Sequence, residues 1–306
     1  MRNRVVIGSR GSKLAVIQAE SVAMRLKELN SGLEVEIRQI MTEGDHNHNL
    51  KLDDTGSTGI FVKALEEELI NGGIDLAVHS LKDLPTTLPD QLYLTAVTQR
   101  LDPRDTLVAG APLRELKTGS RIGTGSRRRS VQLHILRPDL KACAIRGNVD
   151  TRLRKVASGE IDGIIVAAAA MLRLGWVDKI TEYLPLESFL PCVGQGTLAL
   201  ETRREDRRIA EIAIPINHLP TWQAITAERA FLHALGGGCR APIAALSTID
   251  NEMLIISGMV ADPKGKRILK DTEEGSLADP AKAGIRLAGR MLNSGAAGII
   301  NEIRCQ

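Results

Sequence analysis

Three stretches of the sequence place basic and hydroxyl side chains just beyond apolar runs. Gly123-Thr124-Gly125-Ser126-Arg127-Arg128-Arg129 follows one such run and opens a segment of helical periodicity. Free backbone N–H groups, hydroxyls and the helix dipole at that point favour an anion. Arginine adds forked, permanently charged donors suited to carboxylate or phosphate. The same residues also read as an N-cap followed by a solvated basic face. The stretch lacks the third glycine of a dinucleotide fingerprint and the Gly-Lys-Ser/Thr of a P-loop. Arg146-Gly147-Asn148 with Arg152, and Ser9-Arg10-Gly11-Ser12, repeat the basic turn after an apolar run. Ligands of open α/β sheets bind beyond the carboxyl ends of strands, so Arg10, Arg128, Arg129, Arg146, Arg152 and Arg173 are expected to converge on one cleft. Taken singly, each is an ordinary surface charge.

His79-Ser80-Leu81-Lys82-Asp83-Leu84-Pro85 adds one acid among these bases. Asp83 can hydrogen-bond a ligand N–H while stabilising a cation, or it can cap a turn or pair with Lys82. Cys239 follows three glycines, which permit close approach to a neighbour, and Arg240 favours its thiolate. A small buried thiol is the alternative reading. Cys143, Cys192, Cys239 and Cys305 are far apart with no C-x-x-C pair, so free thiols in a reducing cytosol are expected. Asp45-His46-Asn47-His48 has metal-ligand residue types, but it lies in a polar stretch without periodicity, 43–59, read as a mobile loop, and no metal is expected.

The elements that must position these residues alternate between strand and helix. Apolar runs at 5–7, 33–37, 74–80, 121–124, 141–146 and 161–168 read as strands. Helical spacing covers 12–30, with Ser12 as N-cap and Asn30-Ser31-Gly32 as stop, then 61–69, 127–136 and 148–158. This alternation predicts a mainly parallel sheet with helices on both faces. From Thr221 the style changes to a helix at 224–235, strands at 243–249, 253–260 and 267–270, and further helices, a small α+β domain. Crossings between lobes are expected near 99–105 and 193–197, giving 1–98 with 195–217, 99–194, and 218–306 as three domains.

At 306 residues, with 43% hydrophobic and 25% charged residues, the chain has the composition of a soluble globular protein. A net charge of +3 and 2% aromatic residues give no electrostatic or stacking basis for nucleic-acid or membrane binding. The apolar runs 5–7 and 164–172 are too short for an export signal or a membrane span.

Nine stretches in one order make the chain resemble the porphobilinogen deaminase (hydroxymethylbilane synthase) family from end to end: GSRGSKLA (8–15), GIFVKALE (59–66), DLAVHSLKDLP (75–85), DPRDTLV (102–108), IGTGSRRRSVQ (122–132), IRGNVDTRL (145–153), LPCVGQGTLALE (190–201), TAERAFL (226–232) and GGGCRAPI (236–243). The resemblance implies an α/β fold of two periplasmic-binding-protein-like lobes plus the small α+β C-terminal domain. It implies condensation of four porphobilinogen molecules into hydroxymethylbilane with loss of ammonia, primed by dipyrromethane on Cys239. It further implies that Asp83 contacts pyrrole N–H groups and stabilises a cation, with Lys82 and Arg10 beside it in catalysis. Ser12, Lys82, Thr124, Ser126, Arg128, Arg129, Arg146 and Gly147 are implied around the cofactor. Arg10, Phe61, Arg146, Arg152, Arg173 and Gln195 are implied around substrate. A cytoplasmic monomer is the family expectation. The chain departs from the family where lysines are usual, at Asp54 and Thr58 (with Lys51 nearby), at Gly125 where serine is common, and at Ala170 where glycine is common. Two other classes stay open on the residues alone: a non-catalytic anion-binding protein, and a group-transfer enzyme using Cys239 with His218 or His233 as base.

Overall fold

The computed structural model describes residues 4–40, 57–236 and 241–304, with the backbone alone of 57–61 and 304. The chain divides into two compact units, Met1–Leu101 with Thr197–Trp222, and Asp102–Gly196 with Gln223–Gln306. Strands are numbered along the chain.

In the first unit, β1 (Arg4–Arg10), β2 (Glu34–Ile40), β3 (Leu76–Ser80), β4 (Leu92–Val97) and β10 (Leu198–Arg203) form one sheet in the order β2-β1-β3-β10-β4. Between β1 and β2 runs the helix Lys13–Leu29. It starts where the Ser12 hydroxyl accepts the Ala15 N–H at 3.3 Å, satisfying one of the donors a helix N-terminus leaves free. It ends at Asn30, whose backbone N–H reaches the Leu26 carbonyl at 3.0 Å, and Gly32 turns the chain at φ 74°. Its Ala19, Val22, Ala23 and Leu26 recur at helical spacing and pack with Val5, Ile7, Leu76 and Leu200 in the first core. The helix Ser57–Ile70 starts four residues before the predicted one, so 57–59 are helix and not loop.

In the second unit, β5 (Asp105–Ala109), β6 (Arg121–Gly123), β7 (Lys141–Cys143), β8 (Gly163–Ala167) and β9 (Glu182–Tyr183) form a sheet in the order β7-β6-β8-β5-β9. The helices Arg127–Leu136, Val149–Ala157 and Ala168–Arg173 follow β6, β7 and β8. The helix Leu219–Ala234 begins in the first unit and ends in the second. After it, β11 (Ile243–Asp250), β12 (Met253–Ala261) and β13 (Ile268–Ser276) make an antiparallel meander packed by the helices Pro280–Met291 and Ala297–Arg304. Asn251 and Glu252 both take positive φ, 45° and 63°, as a two-residue hairpin between β11 and β12 requires. Phe231, Leu254, Ile256, Leu287 and Met291 fill this core, while Ala244, Leu246 and Met259 pack against Leu190 of the segment that follows β9.

Both five-stranded sheets are mainly parallel, as predicted, with four strands running one way and a single strand reversed in each. β1, β2 and β3 are parallel, as are β6, β7 and β8. β10 runs antiparallel to β3 and β4, and β5 antiparallel to β8 and β9. β5 follows the passage of the chain into the second unit, and β10 follows its return to the first. Each enters its sheet from the edge where the parallel strands end, so it must run the other way. No helix among the described residues is long and apolar enough to cross a membrane.

Candidate active site

Parallel neighbours deliver their loops to a common edge, and this organises the predicted residues of each unit. In the first unit, β1 and β3 pair in parallel, with Gly8 opposite Ala77. Arg10 ends β1, and Lys82 and Asp83 occupy a 3-10 turn, Leu81–Asp83, directly after β3. All three are half-buried at one edge. The turn is held by the Leu81 N–H on the Thr197 carbonyl at 3.0 Å. Ser80 and the buried Gln18 exchange hydrogen bonds of 2.9 and 3.2 Å, tying the end of β3 to the helix that Ser12 caps. Beneath this edge His79 Nε2 lies 2.9 Å from Glu201 Oε2, both buried. Burial first, then the charge of Glu201, pushes the carboxyl of neighbouring Glu66 above its ordinary range.

In the second unit, β6, β7 and β8 bring Thr124 and Ser126, then Arg146, Gly147 and Arg152, then Arg173, to one edge. Thr124 Oγ1 accepts the Ser126 N–H at 3.2 Å, and Ser126 Oγ accepts the Arg129 N–H at 3.4 Å, so both hydroxyls shape the helix start. Gly147 has φ 97°, a conformation that favours glycine, and its carbonyl accepts Arg152 Nε–H at 2.8 Å. Arg146 is exposed. Burial, followed by the charge of Arg129, lowers the Arg152 guanidinium from its ordinary range. Arg173 is pushed down to about 10 by burial, and its Nη2 donates to the Gly196 carbonyl at 2.9 Å.

Arg128 and Arg129 are only 5% and 6% exposed, and both pair with Asp105. Arg128 also donates to the Leu190 carbonyl at 2.6 Å and Arg129 to the Ile165 carbonyl at 3.1 Å. Burial disfavours the Asp105 carboxylate, but Arg128, Arg129 and Gln195 outweigh it and hold the group well below the usual range. Gln195 sits in a turn between Gly194 and Gly196, at φ 71° and 94°. Buried Glu228 accepts the N–H of Gly194 and of Ser247, each at 2.7 Å, and so fastens that turn to β11. Sequence reasoning assigned no role to Asp105 or Glu228, although both stand in the matched stretches DPRDTLV and TAERAFL. The available signal was an excess of arginine at one strand edge with no acid to balance it.

Cys239, the 45–48 cluster, Lys51 and Asp54 lie outside the described residues, as do the side chains of Thr58 and Phe61. At Gly125 a Cβ would stand 3.2 Å from the Ile145 carbonyl oxygen, a tight approach that the bare glycine relieves.

Residues 5–211 match the family model described as porphobilinogen deaminase, dipyromethane cofactor binding domain, and 222–293 match porphobilinogen deaminase, C-terminal domain. The chain belongs to the porphobilinogen deaminase family. It is 45% identical to the porphobilinogen deaminase of Syntrophus aciditrophicus (strain SB), with 94% of this chain and 95% of that protein covered. It is 44% identical to that of Bacillus subtilis (strain 168), with 99% and 98% covered. Among solved structures, the methionine binding protein MetQ aligns with TM-score 0.46 and 13% identity, covering 73% of this chain and 91% of that one. The periplasmic VFT2 domain of Bordetella pertussis BvgS aligns with TM-score 0.42 and 17% identity, covering 70% and 87%.

Proposed function

We propose that this protein condenses four porphobilinogen molecules head to tail into hydroxymethylbilane with release of ammonia, on a dipyrromethane primer held by a thioether to Cys239. The observation that carries this reading is the family match across both domains, 5–211 and 222–293. The activity is a transferase step of tetrapyrrole biosynthesis. We divide the chain into 1–98 with 195–217, 99–194, and 218–306, the last bearing the cysteine.

The residues present fit a carboxylate-rich primer. Arg128 and Arg129 share one carboxylate, Asp105, so the trio keeps a net charge of +1 at a helix N-terminus. We assign Ser12, Lys82, Asp83, Thr124, Ser126, Arg128, Arg129, Arg146 and Gly147 to hold the primer. When bound, that group supplies the pyrrole carbon to which the first substrate unit joins. Arg10, Arg146, Arg152, Arg173, Gln195 and Phe61 bind substrate. Charge-assisted bonds from such arginines are each worth about 1.5–3 kcal/mol. Asp83 accepts pyrrole N–H groups and stabilises the cation left on an incoming unit when ammonia departs, with Lys82 beside it for proton transfer and Arg10 holding a carboxylate. A fixed carboxylate accelerates this step because it interacts more strongly with the cation than with the ground state. We assign it as a cytoplasmic monomer with porphobilinogen as partner; a net charge of +3 and 2% aromatic residues give no basis for nucleic-acid or membrane binding.

Intact mass of the purified protein and of Cys239→Ser tests the reading. An adduct of two pyrrole units in the wild type, absent from the variant, is expected, together with ammonia release from porphobilinogen. An unmodified, inactive wild type overturns it.

A further inference from the structure

Asp105 is the first residue of β5 and fully buried. Because β5 runs antiparallel to β8, Asp105 pairs with Ala167, the last residue of β8, and so sits at the edge to which β6, β7 and β8 deliver their loops. Its carboxylate engages three side chains from two other segments. Oδ1 accepts from Arg129 Nε at 3.0 Å, from Arg129 Nη2 at 2.6 Å and from Gln195 Nε2 at 2.9 Å. Oδ2 lies 2.8 Å from Arg128 Nη2.

The consequence for Gln195 is an orientation. The two ends of an amide have the same shape, and its hydrogen bonds decide which way it points. Nε2 also faces the carbonyls of Pro103 and Arg104, at 2.8 and 3.3 Å. All three neighbours are acceptors, so the NH2 must turn toward them and Oε1 must turn away. Oε1 is buried and has no hydrogen-bond partner among the described residues. Folded proteins rarely leave such an acceptor unused, so a donor from water or from a ligand is expected to meet it.

Resting on the function proposed above, we propose that Asp105 is a positioning residue for that reaction. It locks Gln195 so that Oε1 accepts an N–H of the bound pyrrole chain, and it aims the forks of Arg128 and Arg129 beside that point. An alanine or asparagine at 105 would leave the amide held by the Pro103 and Arg104 carbonyls alone and the two buried guanidiniums without their shared anion.

A double-mutant cycle on the primer-bearing enzyme tests this, with Asp105→Asn, Gln195→Met and the double variant. Each single change is expected to lower kcat/KM at least about tenfold, and the pair to fall short of the product of the two effects by about fivefold or more, because residues acting through one another are not additive. A purely structural Asp105 would lower the melting temperature and leave the two effects on kcat/KM multiplicative, which would overturn the proposal. Intact mass supplies a readout independent of turnover: the fraction of Asp105→Asn chains carrying the primer should fall below that of wild type. If Asp105→Asn does not fold, Gln195→Met alone decides, since a kcat/KM within about twofold of wild type removes the acceptor from the reaction. Wild type carrying the primer and releasing ammonia while the variants behave normally defeats this proposal only; a wild type doing neither defeats the functional reading and this proposal with it.

Discussion

Replacing Arg173 by methionine separates a residue retained for its ligand from one retained for the fold. The Arg173 guanidinium is pushed down to about 10 by burial. Against an ordinary value of about 12.5, that is a cost of about 3 kcal/mol for holding the charge in place. Its partial contact with solvent discounts this to about 2 kcal/mol. The hydrogen bond to the Gly196 carbonyl returns about 1.5–3 kcal/mol, so the two effects nearly cancel. Methionine keeps most of the length and removes both. The expected change in melting temperature, followed by circular dichroism at pH 7.5, is therefore within about 3 °C in either direction. Loss of one charge-assisted carboxylate contact should meanwhile lower kcat/KM by about 10- to 150-fold. The pH dependence has a definite sign. A base with a lowered folded pKa binds fewer protons folded than unfolded, so the wild type gains stability relative to the variant only as pH rises above about 10. A melting temperature lowered by more than about 8 °C with kcat/KM unchanged would make Arg173 a structural clamp and refute the reasoning.

Asp105 is held below its unfolded value, so its contribution to stability is complete above about pH 4 and is lost as pH falls further. The difference in melting temperature between wild type and Asp105→Asn should stay level from about pH 7 to 5 and shrink below about 4. Ser126→Ala removes the acceptor for the Arg129 N–H and should cost about 1 kcal/mol by chemical denaturation; no change would mean that the cap is not used. Asp83→Ala should leave melting within about 2 °C of wild type, since Asp83 is half-buried, yet lower kcat at least about 100-fold. Near-normal turnover would remove its assigned role. Cys239→Ser, which cannot hold the primer, should melt below the primer-bearing wild type, because a group bound only to the folded state stabilises it; equal melting temperatures would contradict the primer reading.

The helices and the parallel strands were legible because each has a local cause. Ser12 and Ser126 are N-caps three residues before the N–H they accept, and Leu26, Val22 and Ala19 recur on one face of their helix. β5 and β10 were not legible as antiparallel strands. Asp105–Ala109 and Leu198–Arg203 are short and mix apolar with charged residues, so the sequence reading assigns no strand to either, and nothing local says which way a short strand runs. Their direction comes from where the chain enters each sheet, which depends on residues far along the sequence. β13 extends to Ser276 through Asp271-Thr272-Glu273-Glu274, a charged run that reads as loop. Arg286 and Arg290 of the following helix pair with Asp271 and Glu273 and turn those charges into a strand face.

The same division holds at the site. Arginines after strands announce themselves, because three in a row at a helix N-terminus oppose the helix dipole and call for an anion. The simplest inference gives that anion to the ligand. Here part of the demand is met inside the protein by Asp105, a residue 24 positions from Arg129 that enters the site only because β5 is antiparallel. Without it, two buried guanidiniums would repel each other and no single arrangement of their forks would be favoured. With it, the pair is fixed and still retains one net positive charge for a carboxylate. On the function proposed above, the acid occupies Nε and Nη2 of Arg129 and Nη2 of Arg128 and leaves the trio one positive charge for the ligand. It lowers the cost of keeping them buried and aimed before the ligand arrives, the condition under which charge-assisted binding contributes most.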